Sequence, residues 1–77
     1  MSAEYTPRQG QFLAFIYTKL DCIPPAEADM QRYFRVSPPA VHDMVLMLER
    51  QGLIAREPGK PRSIRLLLGR EELPDLE

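Results

Sequence analysis

The sequence predicts a mainly α fold closed by a small β-hairpin, with helices over about 7–21, 26–34 and 38–51 and hairpin strands over about 53–57 and 63–68. Three observations predict it. A hydroxyl residue stands directly before proline at Thr6-Pro7 and again at Ser37-Pro38, which marks a helix start twice. After each start, apolar residues recur at helical spacing. From Leu53 onward that spacing gives way to β-prone runs on either side of a segment rich in turn formers.

In the first helix Thr6 is the N-cap, Pro7 occupies the first position, where a missing N–H costs nothing, and Gln9 closes a capping box. Phe12, Leu13, Phe15, Ile16 and Leu20 then form one buried face. Ile23-Pro24-Pro25 ends the helix, because a residue before proline avoids the helical region. The second helix turns Ala28 or Met30 and Phe34 inward and Glu27, Asp29, Gln31 and Arg32 outward. Its N-cap is weak, since Ala26 has no side-chain acceptor. Arg35-Val36 is a brief turn, Ser37 caps the third helix, and Gly52 suits the left-handed position after its end. Val41, Met44, Val45 and Leu48 face inward. Two helices joined by so short a turn have the layout of a helix-turn-helix. Leu53-Ile54-Ala55-Arg56 and Ser63-Ile64-Arg65-Leu66-Leu67-Leu68 flank Glu57-Pro58-Gly59-Lys60-Pro61-Arg62, giving a hairpin with a basic, proline-stiffened tip. Helices in this order followed by a hairpin are the order of a winged helix.

Seventy-seven residues hold one small domain, expected over 1–70 with a short acidic tail over 71–77, and exclude a two-domain enzyme. The 44% hydrophobic and 27% charged composition is that of a folded chain and excludes wholesale disorder. A lone Cys22 makes no internal disulfide and carries no metal-like spacing, and no apolar run is long enough to span a bilayer, so a cytoplasmic location off the membrane is expected. The net charge of −1 conceals an asymmetry. Six basic residues, Arg50, Arg56, Lys60, Arg62, Arg65 and Arg70, stand against the single acid Glu57 between 50 and 70, and four acids follow in the tail. The acidic tail is expected to compete for the basic hairpin.

A helix that enters a major groove needs short or polar side chains in its first turns while its apolar face packs elsewhere. Ser37, Pro39, Ala40, His42 and Asp43 meet that need. The N-terminus of the same helix is expected to offer free N–H groups to a phosphate. Lys60 and Arg62 at the hairpin tip, with Arg56 and Arg65 behind them, suit the phosphate backbone or a minor groove.

Thr6-Pro7-Arg8-Gln9, Pro24-Pro25, Ser37-Pro38-Pro39-Ala40-Val41-His42, Leu48-Glu49-Arg50-Gln51-Gly52-Leu53-Ile54 and the run from Arg56 to Leu66 resemble the N-terminal winged-helix DNA-binding domain of the LexA repressor family. The stretch from Val36 to Gly59 is also similar to winged helices of the iron- and manganese-dependent diphtheria-toxin-repressor family, and Arg62-Ser63-Ile64-Arg65-Leu66 tips the choice to LexA. The resemblance implies sequence-specific binding of double-stranded DNA by a small repressor. Base reading would fall on Pro39, Ala40, His42 and Asp43, with phosphate contacts from Ser37, Arg8 and the wing. Arg35 stands where the family usually has a turn glycine, and Pro39 where it often has a polar residue. LexA proper continues into a self-cleaving serine/lysine peptidase, whereas this sequence closes on Glu-Glu-Leu-Pro-Asp-Leu-Glu, so a non-enzymatic DNA-binding half is expected, on the nucleoid when bound.

Blander readings stand beside these. His42 also fits a solvated helix position, the arginines a solvated face, and Cys22 a small buried side chain. A helix apolar at every position from Met44 to Leu48 cannot hide them all, so Leu46 and Met47 mark a dimer or partner surface, or else one packs under the wing and the other stays exposed. A homodimer or a partner protein is therefore expected. The rival function is a winged helix used for protein contact, docking through Leu46, Met47, Leu73 and Leu76. No glycine loop for phosphates, no paired Cys or His spacing for zinc and no serine with a base point to catalysis, a cofactor, a metal or a small-molecule substrate.

Overall fold

The computed structural model describes residues 4–19, 25–60 and 62–77. In chain order the elements are α1 (Pro7–Thr18), α2 (Glu27–Phe34), α3 (Pro38–Arg50), β1 (Ile54–Ala55), β2 (Arg65–Leu66) and a 3-10 turn over Arg70–Glu72. This is the winged helix-turn-helix order that the sequence predicts.

The capping box of α1 forms as expected. Thr6 Oγ1 accepts from the Gln9 N–H at 3.1 Å and Gln9 Oε1 accepts from the Thr6 N–H at 2.9 Å. Gln9 is buried, and its amide also donates to Met47 Sδ at 2.9 Å, which ties the start of α1 to the exposed side of α3. Phe12, Leu13, Phe15 and Ile16 are buried as predicted, whereas Leu20, Cys22, Ile23, Pro24 and Pro61 lie outside the described residues. The helix is shorter than the expected 7–21, because Thr18 Oγ1 donates to the Phe15 carbonyl at 2.8 Å and the Lys19 N–H turns back to Ile16 O at 3.1 Å. A hydroxyl that competes for the last carbonyls tightens and ends the turn.

Ala26 provides no cap for α2, but Asp29 does the equivalent work from the third position: its Oδ2 accepts from the Ala26 N–H at 3.0 Å. Met30 is fully buried. Phe34 stacks on Phe12 with ring centroids 4.1 Å apart, so aromatic contact joins α1 to α2. The turn into α3 runs through Arg35 at φ 55°, with the Val36 N–H reaching back to Gln31 O at 3.3 Å. That is a Schellman ending with arginine in the left-handed seat, a conformation costing an L-residue about 1–2 kcal/mol. At the end of α3 the same motif carries glycine: Gly52 has φ 76°, and the Leu53 N–H donates to Leu48 O at 3.0 Å.

The wing pairs Ile54 with Leu66 and Ala55 with Arg65, antiparallel. Its ladder is shorter than the expected 53–57 and 63–68. The reason lies at Ser63, whose Oγ accepts from the Glu57 N–H at 2.8 Å and sits 2.9 Å from Lys60 O, so a side chain takes the place of backbone rungs. Pro58-Gly59 forms the tip, closed by the Lys60 N–H on Glu57 O at 3.1 Å, with Gly59 at φ 82° as a type II turn requires.

The core gathers Phe12, Leu13, Phe15 and Ile16 of α1, Met30 of α2, Val41, Val45 and Leu48 of α3, and Leu53, Ile54 and Ile64 of the wing. Leu73 joins it at 8% exposure, and Leu76 packs against it. The acidic C-terminal segment therefore lies along α1. Tyr5 donates its hydroxyl proton to Glu72 O, Gln11 Nε2 donates to Asp75 O at 3.0 Å, and the Glu77 N–H donates to Gln11 Oε1 at 2.8 Å. No buried side-chain polar atom among the described residues lacks a partner.

Candidate nucleic-acid interface

Helix α3 separates its residues by face. Val41, Val45 and Leu48 are fully buried, and Met44 packs at the core edge. Ser37, Pro39, Ala40, His42 and Asp43 are all exposed, so the structure brings the expected recognition-helix residues together on the N-cap and first two turns. Leu46 is half-buried, whereas Met47 is 44% exposed apart from its contact with Gln9.

One expectation fails at this N-terminus. Pro38 and Pro39 have no N–H, Ala40 donates to Ser37 Oγ at 3.4 Å and Val41 donates to Ser37 O at 3.1 Å. The first turn thus has no free N–H for a phosphate, and only the long Ala40 bond is readily exchanged. The prolines do more than thin the donors.

The wing cations stand beside α3, but not as a bare basic strip. Arg56 lies between the helices, with Nε 3.0 Å from Glu49 of α3 and a terminal nitrogen 3.7 Å from Glu27 of α2. Lys60 meets Glu57 at 2.9 Å with its side chain 70% exposed. Arg62 reaches Asp29 at 2.9 Å, fastening the wing tip to the first turn of α2. Arg65, exposed on β2, and Arg50 have no ion pair among the described residues. Arg8 is exposed on α1, its guanidinium 5.5 Å from the Phe12 ring centre and 5.4 Å from that of Phe34, just before the turn into α3.

Three acids that the sequence did not single out for this site organise it. Asp29 accepts from the Ala26 N–H, Arg62 and Arg32, the last at 2.6 Å. The backbone bond from Ala26, aided by Arg62 and Arg32 and opposed by desolvation, holds its carboxyl below the usual aspartate range. Glu27 faces both Arg56 and His42, whose Nδ1 lies 3.2 Å from each of its carboxylate oxygens. Glu49 completes the clamp on Arg56. An acid at the third helical position after a residue without a side-chain acceptor was a readable signal for the Asp29 cap. The contacts across 15 and 33 residues left no local mark.

Elsewhere the tail leucines proposed as partner anchors are engaged with the chain's own core, and Asp75 pairs with Arg70 at 3.3 Å. No group of three or more His, Cys, Asp or Glu among the described residues is placed to hold a metal ion. No described helix is long and apolar enough to cross a membrane.

Residues 2–63 match the family model of the LexA DNA binding domain. The LexA repressor of Thermosipho africanus (strain TCF52B) is 38% identical over 66 residues, covering 83% of this chain and 33% of that protein. The LexA repressor of Dechloromonas aromatica (strain RCB) is 38% identical over 65 residues, covering 80% and 32%, and that of Thermotoga maritima 34% over 65 residues, covering 82% and 33%. The chain thus spans about a third of the length of the curated relatives it matches. Over that span the likeness takes in all three helices and the wing up to Ser63. The chain belongs to the LexA DNA-binding domain family.

Proposed function

We propose that the chain binds double-stranded DNA sequence-specifically and serves as a repressor-type transcriptional regulator, with α3 in the major groove and the wing on the phosphate backbone. The observation that carries this is the face separation of α3, whose first turns present small and polar side chains while Val41, Val45 and Leu48 anchor the helix in the core. Base contacts are assigned to Pro39, Ala40, His42 and Asp43, and phosphate contacts to Ser37, Arg8, Lys60, Arg62 and Arg65. Arg56, held by two carboxylates, supports the wing and reaches a phosphate only by giving one of them up. Selection from a random duplex library tests this: the parent enriches a common motif, and His42→Ala and Asp43→Ala relax it at single base pairs. Recovery of no motif overturns the reading.

A single module covers little DNA, so two copies on two half-sites are proposed, in the cytoplasm and on the nucleoid, with Leu46 and Met47 as the candidate contact. Leu46→Asp then lowers both the sedimentation mass and the affinity for a two-site duplex. If neither changes, this surface is not the contact.

A further inference from the structure

Glu27 belongs to none of the DNA-binding motifs, yet it touches the candidate base-reading helix. As the first residue of α2 it places both carboxylate oxygens 3.2 Å from Nδ1 of His42 and one of them 3.7 Å from Arg56. A carboxylate only accepts, so the ring nitrogen that faces it carries a proton. With the ring neutral, Nε2 is then bare and is a hydrogen-bond acceptor. The His42 side chain is 51% exposed, and Nε2 has no hydrogen-bond partner among the described residues.

We propose that Glu27 is a positioning residue that fixes the tautomer of His42, so that Nε2 accepts from a base-edge amino group in the major groove and sets the base preferred at that position. The amino groups available there are cytosine N4 and adenine N6; guanine N7 and O6 and thymine O4 only accept, and a bare Nε2 meets them lone pair to lone pair. The inference rests on α3 entering the major groove. A purely structural role for Glu27, pairing Arg56 and favouring the α2 N-terminus, changes affinity for all duplexes alike and leaves base preference untouched.

The chain has one histidine, so its ring nitrogens are read without ambiguity by long-range proton–nitrogen NMR. With the ring neutral, the parent carries the proton on Nδ1. Glu27→Ala shifts the population toward the Nε2–H form that free histidine favours in water. A parent with the proton on Nε2 overturns the proposal without any variant. On duplexes selected by the parent, Glu27→Ala loses discrimination about fivefold or more at one base pair, the lower range of a single mismatch, and changes the others uniformly. Glu27→Gln, which keeps the size but presents either an acceptor or a donor to the ring, loses only part of it. His42→Ala abolishes the same preference, and adding Glu27→Ala to it changes that preference no further. Duplex binding with unaltered preferences in Glu27→Ala overturns this inference alone, whereas no duplex binding by the parent overturns the DNA reading and this inference with it.

Discussion

Replacing Asp29 with alanine removes three contacts at once, and their sum is within reach of a simple melt. The bond from the Ala26 N–H is a cap interaction, worth about 1 kcal/mol. The pair with Arg32 holds a side chain that is 75% exposed and adds little, whereas the pair with Arg62 on the same carboxylate holds one that is 46% exposed. Together the two pairs supply about 0.5–1 kcal/mol after screening. Asp29→Ala is therefore expected to cost about 1.5–2 kcal/mol at neutral pH and to lower the Tm by roughly 6–16 °C in a domain of this size. The pH dependence follows from the direction of the shift. A carboxyl held below its unfolded value stabilises the fold fully above that value, about 3.9, and loses this stabilisation as the pH falls through the folded one. The gap between parent and variant, measured by urea denaturation at several pH values, is thus full at pH 7 and narrows below about pH 4. Asp29→Asn keeps an acceptor for Ala26 and loses less. A neutral-pH cost below about 0.5 kcal/mol, or a gap that does not narrow in acid, refutes the assignment of the cap and the wing latch to Asp29.

Two further substitutions probe the fold that holds the interface. Arg35→Gly relieves the left-handed arginine at φ 55° and, after the unfolded-state entropy of glycine is counted, raises stability by about 0.5–1 kcal/mol; a loss in denaturant midpoint shows that the arginine side chain contributes more than its backbone costs. Leu73→Ala costs about 2–3 kcal/mol because the side chain sits in the core at 8% exposure, and a change under about 0.5 kcal/mol shows that the C-terminal segment is not part of the folded body.

The parts legible in the sequence were those governed by local rules. Thr6 with Gln9, Ser37 before two prolines and Gly52 each act within a turn of their own position, and all three form as read. The inward residues of α1 and α3 followed from helical spacing, as did the exposure of Ser37 to Asp43 around the buried Val41. What was not legible was set by distant neighbours or by side chains replacing backbone. Ser63 shortens the hairpin, Thr18 closes α1 early, and Tyr5 and Gln11 seat a C-terminal segment that lies more than sixty residues away in sequence. The run of basic residues between 50 and 70 reads as a strip of free charge. Folding places Glu27, Asp29 and Glu49 from two helices against Arg56 and Arg62, so any phosphate that approaches these arginines competes with carboxylates already in place. The N–H donors expected at α3 illustrate a rule read only halfway, since two successive prolines leave Ala40 and Val41 as the first donors and Ser37 takes both.

DNA binding through the wing is tested most directly by fluorescence anisotropy on a pool of random duplexes across a salt series, for the full chain and for the Lys60→Ala/Arg62→Ala double variant. With both side chains on phosphates, the slope of log affinity against log salt is steeper in the parent by about two, and the variant stays folded. Equal slopes contradict the wing assignment, and the absence of salt-dependent binding at micromolar protein contradicts the DNA-binding reading itself.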